Sequence, residues 1–282
     1  MPEFLAIPMR AAPHSVNKNR PSPAVSRSEK ERDSFPIVGI GASAGGFESI
    51  SNLLKNLRPD TGLAFVVIQH LGPDSRSTLA NLLVKMTLMP VLEIRDRIPV
   101  EPNRVYVLTP NYDVLLEDRM LRLVRRPSSE RVHMPIDHFF QSLAEHEKDR
   151  AIGVVLSGSG TDGTLGFRAI KGEGGLTFAE ADTTAKYFAM PNSAIVAGCV
   201  DVIRGAKDIA LELGAIARHP YVRGKPAGDG EVKFSGFPEG ADALTKVFYL
   251  LKQHTGVNFA QYKHSTLRRR IARRMAVCKV SY

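Results

Sequence analysis

Short, unbroken apolar runs leave this chain few ways to fold. Residues 37–40 (IVGI), 64–68 (AFVVI), 152–156 (IGVVL) and 176–179 (LTFA) are too short for helices and carry no polar alternation. Runs of that kind read as strands covered on both faces, which is the environment of a parallel sheet. Between them lie segments with helical spacing, such as Phe47, Ile50, Leu53, Leu54 and Leu57. Helices are expected over 47–57, 79–86, 135–148, 165–171, 191–197 and 209–217, and further strands over 104–108 and 114–124. The last of these turns near Glu117-Asp118 into a hairpin. The expected fold class is α/β: a doubly wound, mostly parallel sheet with helices on both faces, a β-hairpin and a short helical C-terminal extension.

Composition divides the chain further. Residues 1–34 are rich in Pro, Ser, Asn and charge with no hydrophobic period, so a disordered leader is expected there. A folded body follows over 35–217. Residues 218–240 hold three prolines and five glycines and read as a linker. The rest, 241–282, is expected to be a partial helical region, with an amphipathic helix over 243–254 and a very basic one over 265–277. The net charge of +9 belongs to the end: 1–34 carries +2, 35–220 carries −1 and 221–282 carries +8, with no acidic residue after Asp242. An anionic partner is therefore expected for the tail alone. No apolar run is long enough to span a membrane and no signal-peptide core is present. Cys199 and Cys278, 79 positions apart, form neither a disulfide framework nor a metal spacing, so a cytoplasmic location is expected.

Two glycine turns carry the chemistry, and the first supports two readings. Residues 39–44 fit G-x-G-x-x-G/A, the dinucleotide fingerprint, while 41–45 fit G-x-S-x-G, which presents a serine on a strand-to-helix turn. A dinucleotide site needs an acid at the end of the second strand to hold the ribose. That strand ends in Gln69-His70 instead. In a doubly wound sheet the strand ends share one crevice, so Ser43 and His70 can meet there, and Asp162, just past a third strand, points to the same edge. Nucleophile, base and orienting carboxylate are then in place. The plainer alternatives are that Ser43 caps a helix, His70 is a satisfied polar residue and Asp162 shapes a turn.

Other candidates are weaker. His133, Asp137 and His138 suggest a metal, but Asp137 also suits a helix N-cap and no third ligand group is evident, so no metal or cofactor is expected. Ser157 and Ser159 are alternative nucleophiles. Cys199 lies in an apolar stretch and reads as a packed small residue. In the basic helix, Arg270, Arg273 and Arg274 share one face and Leu267, Ile271 and Met275 another. Nucleic acid needs base-reading or stacking groups, of which Tyr262 is the one aromatic near the cluster, and an acidic protein surface is an equally good electrostatic partner.

Residues 35–205 resemble the catalytic domain of the chemotaxis protein-glutamate methylesterases (CheB-type). The resemblance rests on residues 38–46 (VGIGASAGG), 66–70 (VVIQH), 104–110 (RVYVLTP), 134–142 (MPIDHFFQS), 154–163 (VVLSGSGTDG), 174–180 (GGLTFAE) and 189–197 (AMPNSAIVA). It implies hydrolysis of glutamate γ-methyl esters on chemoreceptor-like proteins, with glutamine deamidation as a related activity. The family's catalytic serine, histidine and aspartate fall on Ser43, His70 and Asp162. Residues 244–275 are similar to the N-terminal helical region of the CheR-type receptor methyltransferases, which implies receptor contact through the basic helix around Arg268–Arg274. The chain departs from the pattern at Ser159, Glu180 and Asp113, where methionine, glutamine and histidine are usual. A receiver domain is not expected within the first 34 residues, nor methyltransferase activity from 241–282. The rival reading is a catalytically degenerate, receptor-binding regulatory module.

Overall fold

The computed structural model describes residues 35–70, 79–126, 133–219, 243–259, 262–278 and Val280. The leader expected over 1–34 and the linker over 218–240 lie outside them, apart from Arg218 and His219. Ten strands, eight α-helices and two short 3-10 helices are found among the described residues. In chain order they are β1 (Ile37–Ala42), α1 (Gly46–Asn56), β2 (Ala64–Gln69), α2 (Leu79–Leu83), β3 (Val91–Glu93), β4 (Ile98–Pro99), β5 (Val105–Val107), β6 (Tyr112–Glu117) and β7 (Met120–Arg125). There follow α3 (Pro135–Glu147), β8 (Ala151–Val155), α4 (Thr164–Gly172), β9 (Leu176–Glu180), α5 (Ala189–Val196), β10 (Val202–Arg204), α6 (Ala206–Ile216), α7 (Ala243–Thr255) and α8 (His264–Cys278).

Seven strands form one parallel sheet in the order β10-β9-β8-β1-β2-β5-β3. The chain runs outward from β1 through β2 and later returns to β1's other side with β8, so the strand order reverses between β1 and β8. In open α/β sheets that reversal opens a crevice at the carboxyl ends. The hairpin β6–β7 stands apart in a three-stranded sheet with β4, turning on Asp118 and Arg119, both with positive φ. The expected elements are present with ends moved by up to three residues. Strands β3, β4 and β10 were not expected. Each is two or three residues long, at a sheet edge and partly exposed, so none has an unbroken apolar run.

Alternate residues of the central strands enter opposite cores, as a period of two requires. Val38, Ile40, Phe65, Val67 and Val154 pack with α1 and α6, whereas Ile37, Val66, Ile68 and Val155 pack under α3, α4 and α5. Gly39 and Gly41 allow α3 to lie almost on the sheet: a Cβ on Gly39 would come 2.7 Å from Phe140 and one on Gly41 2.4 Å from Ile136. The two glycines of the dinucleotide fingerprint thus sit inside β1 and serve helix–sheet packing.

Helix α8 joins the first core through Ala272 and Ala276, both buried. Arg273 turns away from the exposed Arg269, Arg270 and Arg274; it donates to the Gly175 carbonyl at 2.9 Å and pairs with Asp201. Ala272 and Ala276 are thus buried, whereas Leu267, Ile271 and Met275, which share a face by spacing, are half-buried. Small side chains let the helix approach, and Arg273 finds a carboxylate there. Gly175 and Asp201 precede β9 and β10, so α8 docks at the strand-start edge of the sheet.

Candidate active site

Strand register brings the first two candidate residues together. Ala42 pairs with Gln69 in the parallel β1–β2 ladder, so Ser43 and His70 are the next residues out at the same level. The His70 amide donates to the Ala42 carbonyl (3.1 Å), and the Ser43 amide donates across to the Ser157 carbonyl beyond β8 (3.0 Å). Ser43 does not cap α1. The cap residue is Gly45, in left-handed conformation (φ 70°), and no side chain bonds to the first turn. A Cβ there would be strained and would come 2.9 Å from Ser157 Oγ. Gly158 lets Met190 and Ser43 pack close, since a Cβ on it would come 2.6 Å from Met190 Cε and 3.0 Å from the Ser43 Cβ.

Asp162 reaches the same crevice from the turn after β8. Its Oδ2 is 3.2 Å from His70 Nε2, with 2% of the aspartate side chain exposed and 28% of the histidine. Three backbone N–H groups fix the carboxylate: Ile136 and Asp137 in the first turn of α3, at 3.0 and 2.8 Å, and Gly163 at 2.9 Å. Burial nevertheless raises its pKa, against those hydrogen bonds and the nearby His70. A helix N-terminus is a natural seat for such a charge. Nε2 also lies 3.3 Å from the His133 carbonyl. Two acceptors facing Nε2 place the neutral ring's proton there and leave Nδ1 with the lone pair.

Asp137 does not cap its own helix as the sequence suggested. Its Oδ1 accepts the Gly166 N–H of α4 at 2.7 Å. The carboxylate before α4 therefore caps α3, and the carboxylate in α3 caps α4. Burial raises the Asp137 pKa, and the neighbouring charge of Asp162 adds to the shift.

The metal reading loses its geometry. Asp137 points into the α3–α4 contact, while His133 and His138 both turn to Asp113 on β6, His138 Nδ1 at 2.9 Å from Oδ2. Among the described residues no group of three His, Cys, Asp or Glu side chains is arranged to hold a metal ion. Sequence reasoning noted Asp113 only as a departure from the family and missed this pairing. The partners lie 20 and 25 residues away across the hairpin. Ser159 is exposed, and Ser157 is fully buried with its hydroxyl bonded on both sides. Cys199 is buried, as expected. A cleft opens beside His70, with Gln69, Thr109, Tyr112, Arg126 and His133 in its walls. Among the described residues no helix is long and apolar enough to cross a membrane.

The model of the CheB methylesterase family matches residues 38–213, and that of the CheR methyltransferase all-alpha domain matches 242–281. An uncharacterised 104.1 kDa protein of Rhodobacter capsulatus is 35% identical over 218 residues, 72% of this chain and 23% of that one. A protein-glutamate methylesterase/protein-glutamine glutaminase 2 of Burkholderia pseudomallei is 33% identical over 179 residues, 63% of this chain and 52% of that one. The chain thus spans about half the length of the second relative and under a quarter of the first. The crystal structure of the Thermotoga maritima CheB methylesterase catalytic domain is similar with a TM-score of 0.60 and 32% identity, over 64% of this chain and 98% of that one. Matched by the family model over more than half its length, and by nearly all of a solved catalytic domain, the chain belongs to the CheB methylesterase family and carries a CheR-type all-alpha segment behind that domain.

Proposed function

We propose that this chain hydrolyses glutamate γ-methyl esters on chemoreceptor-like proteins in the cytoplasm, releasing methanol and leaving glutamate, with Ser43, His70 and Asp162 as its catalytic residues. The observation that carries the reading is the single crevice in which His70 faces the buried Asp162 at 3.2 Å and adjoins Ser43 through the strand register. His70 Nδ1 takes the Ser43 hydroxyl proton as Oγ attacks the ester carbonyl. Asp162 holds the ring through Nε2 and stabilises the imidazolium. The tetrahedral oxyanion is held by backbone N–H groups of the two glycine turns. Ser43's own N–H is not among them, because it donates to Ser157. The protonated ring then gives its proton to the departing methoxide, and water, activated by the same nitrogen, releases glutamate. A glutamine side chain follows the same path with ammonia as the leaving group.

Residues 35–217 form the catalytic domain in this reading, 218–240 a linker, and 241–282 part of a methyltransferase-type helical region whose exposed arginines meet acidic receptor helices. The test is methanol release from methylated receptor cytoplasmic fragments by the chain and by Ser43→Ala. The variant should lose at least about 10³-fold in kcat. Equal release from both would remove Ser43 from the mechanism. Retained receptor binding without release from either would favour a degenerate binding module.

A further inference from the structure

Ser157 is bonded through its amide, its carbonyl and its hydroxyl beside the nucleophile, and the mechanism does not use its hydroxyl. It is fully buried, two residues beyond the end of β8. Its N–H donates to Glu180 Oε2 at 2.9 Å, and its carbonyl accepts the Ser43 N–H at 3.0 Å. Its hydroxyl donates to the Ala44 carbonyl at 2.9 Å and accepts the Tyr187 N–H at 3.0 Å. Glu180 is itself buried, and its Oε1 accepts the Thr184 hydroxyl at 3.1 Å.

Two of these bonds fall on either side of the Ser43 Cα, one on its own amide and one on the carbonyl of the next residue. Rotation of the turn about Ser43 therefore breaks at least one of these hydrogen bonds. The hydroxyl also ties that turn to the segment leading into α5, which is held again by Gly158 N–H to Tyr187 O at 2.9 Å and Met190 N–H to Gly158 O at 3.0 Å. With its proton on Ala44 and a lone pair on Tyr187, this hydroxyl is no nucleophile.

We infer that Ser157 is a positioning residue for the nucleophile: its hydroxyl locks the Ser43 turn against the strand-end loop before α5 and so fixes the direction in which Ser43 Oγ attacks. The inference rests on the esterase reading above. Reacting groups must be held near attack geometry, and an error of about 1 Å is worth on the order of 10²-fold in rate. Removing the hydroxyl takes away the donor of the half-buried Ala44 carbonyl and the acceptor of the Tyr187 N–H, both part-buried bonds, and the turn is free to relax.

The experiment compares the chain with Ser157→Ala, Ser157→Cys and Ser157→Thr. It reads kcat and KM for methanol release, the rate of Ser43 labelling by a fluorophosphonate, and the near-ultraviolet circular dichroism of each protein. Ser157→Ala and Ser157→Cys should be folded, lose about 10- to 100-fold in kcat and in labelling rate, and keep KM within about twofold. Ser157→Thr, which keeps the hydroxyl, should recover most of the rate. Folded Ala and Cys variants that label and turn over at the parent rate would overturn the inference and leave the esterase reading intact. So would a kcat lost only in proportion to lost folded signal, or one that Thr does not recover while folded. A parent chain that neither labels at Ser43 nor releases methanol would overturn the esterase reading, and this inference with it.

Discussion

Two carboxylates at the α3–α4 contact show how far a single residue's role depends on its surroundings. Asp162 and Asp137 look alike in sequence, each a short acid near a helix start. The fold crosses them: each takes backbone N–H groups from the other's helix, and burial raises the pKa of both. A carboxyl whose native pKa exceeds its unfolded value binds more protons folded than unfolded across the interval between the two. Its stabilising contribution is complete below the ordinary carboxylate value and is lost as pH rises through the raised native value. Asp137→Asn keeps an oxygen for Gly166 and removes the titration. Urea melts at several pH values should therefore show the parent's stability relative to Asp137→Asn falling steadily as pH rises above about 4. A constant difference would mean that Asp137 ionises as freely in the folded protein as in the unfolded one. Nothing in the sequence around Asp137 announced this partner, because Gly166 is 29 residues away.

Helix α3 is the element on which the candidate site depends. It packs over β1 where Gly39 and Gly41 leave room, with Phe140 stacked on Phe167 of α4 at 5.4 Å. Its first turn supplies two of the N–H groups that hold Asp162. Gly41→Ala puts a methyl group 2.4 Å from Ile136 Cγ2, so the helix start must move. We expect a stability loss of about 1–3 kcal/mol and, because Asp162 moves with the helix, a fall in kcat larger than the unfolded fraction explains. Thermal melts and methanol-release kinetics on the same preparation check both parts. The helix and strand themselves were readable from spacing. Their close approach was not read from the sequence, where Gly39 and Gly41 fitted a dinucleotide fingerprint; both lie inside β1, against Phe140 and Ile136 of the helix. Short edge strands escaped because they are partly exposed and lack a period, whereas the buried central strands did not.

Across the whole molecule, the candidate site and the basic helix lie at opposite edges of the parallel sheet. Ser43, His70 and Asp162 follow the ends of β1, β2 and β8, while α8 is fastened by Arg273 to Gly175 and Asp201, just before β9 and β10 begin. Exposed Arg269, Arg270 and Arg274 cannot then act on the ester directly. Changing all three to Glu should leave kcat for a small γ-methyl glutamate ester unchanged within about twofold. The same change should weaken binding of acidic receptor fragments and flatten its salt dependence. A lower kcat on the small ester would tie the helix to the site after all. The sequence by itself determined the parallel α/β fold, the order of its main strands and helices, and Ser43, His70 and Asp162 as candidates. Those signals are local: an unbroken apolar run, a helical period, and a polar residue where a strand stops. Only the tertiary structure decided what Gly39 and Gly41 pack against, which acid caps which helix, how the Ser157 hydroxyl is bonded, and where the basic helix docks. Each of those depends on partners distant in the chain that only packing brings within hydrogen-bond reach.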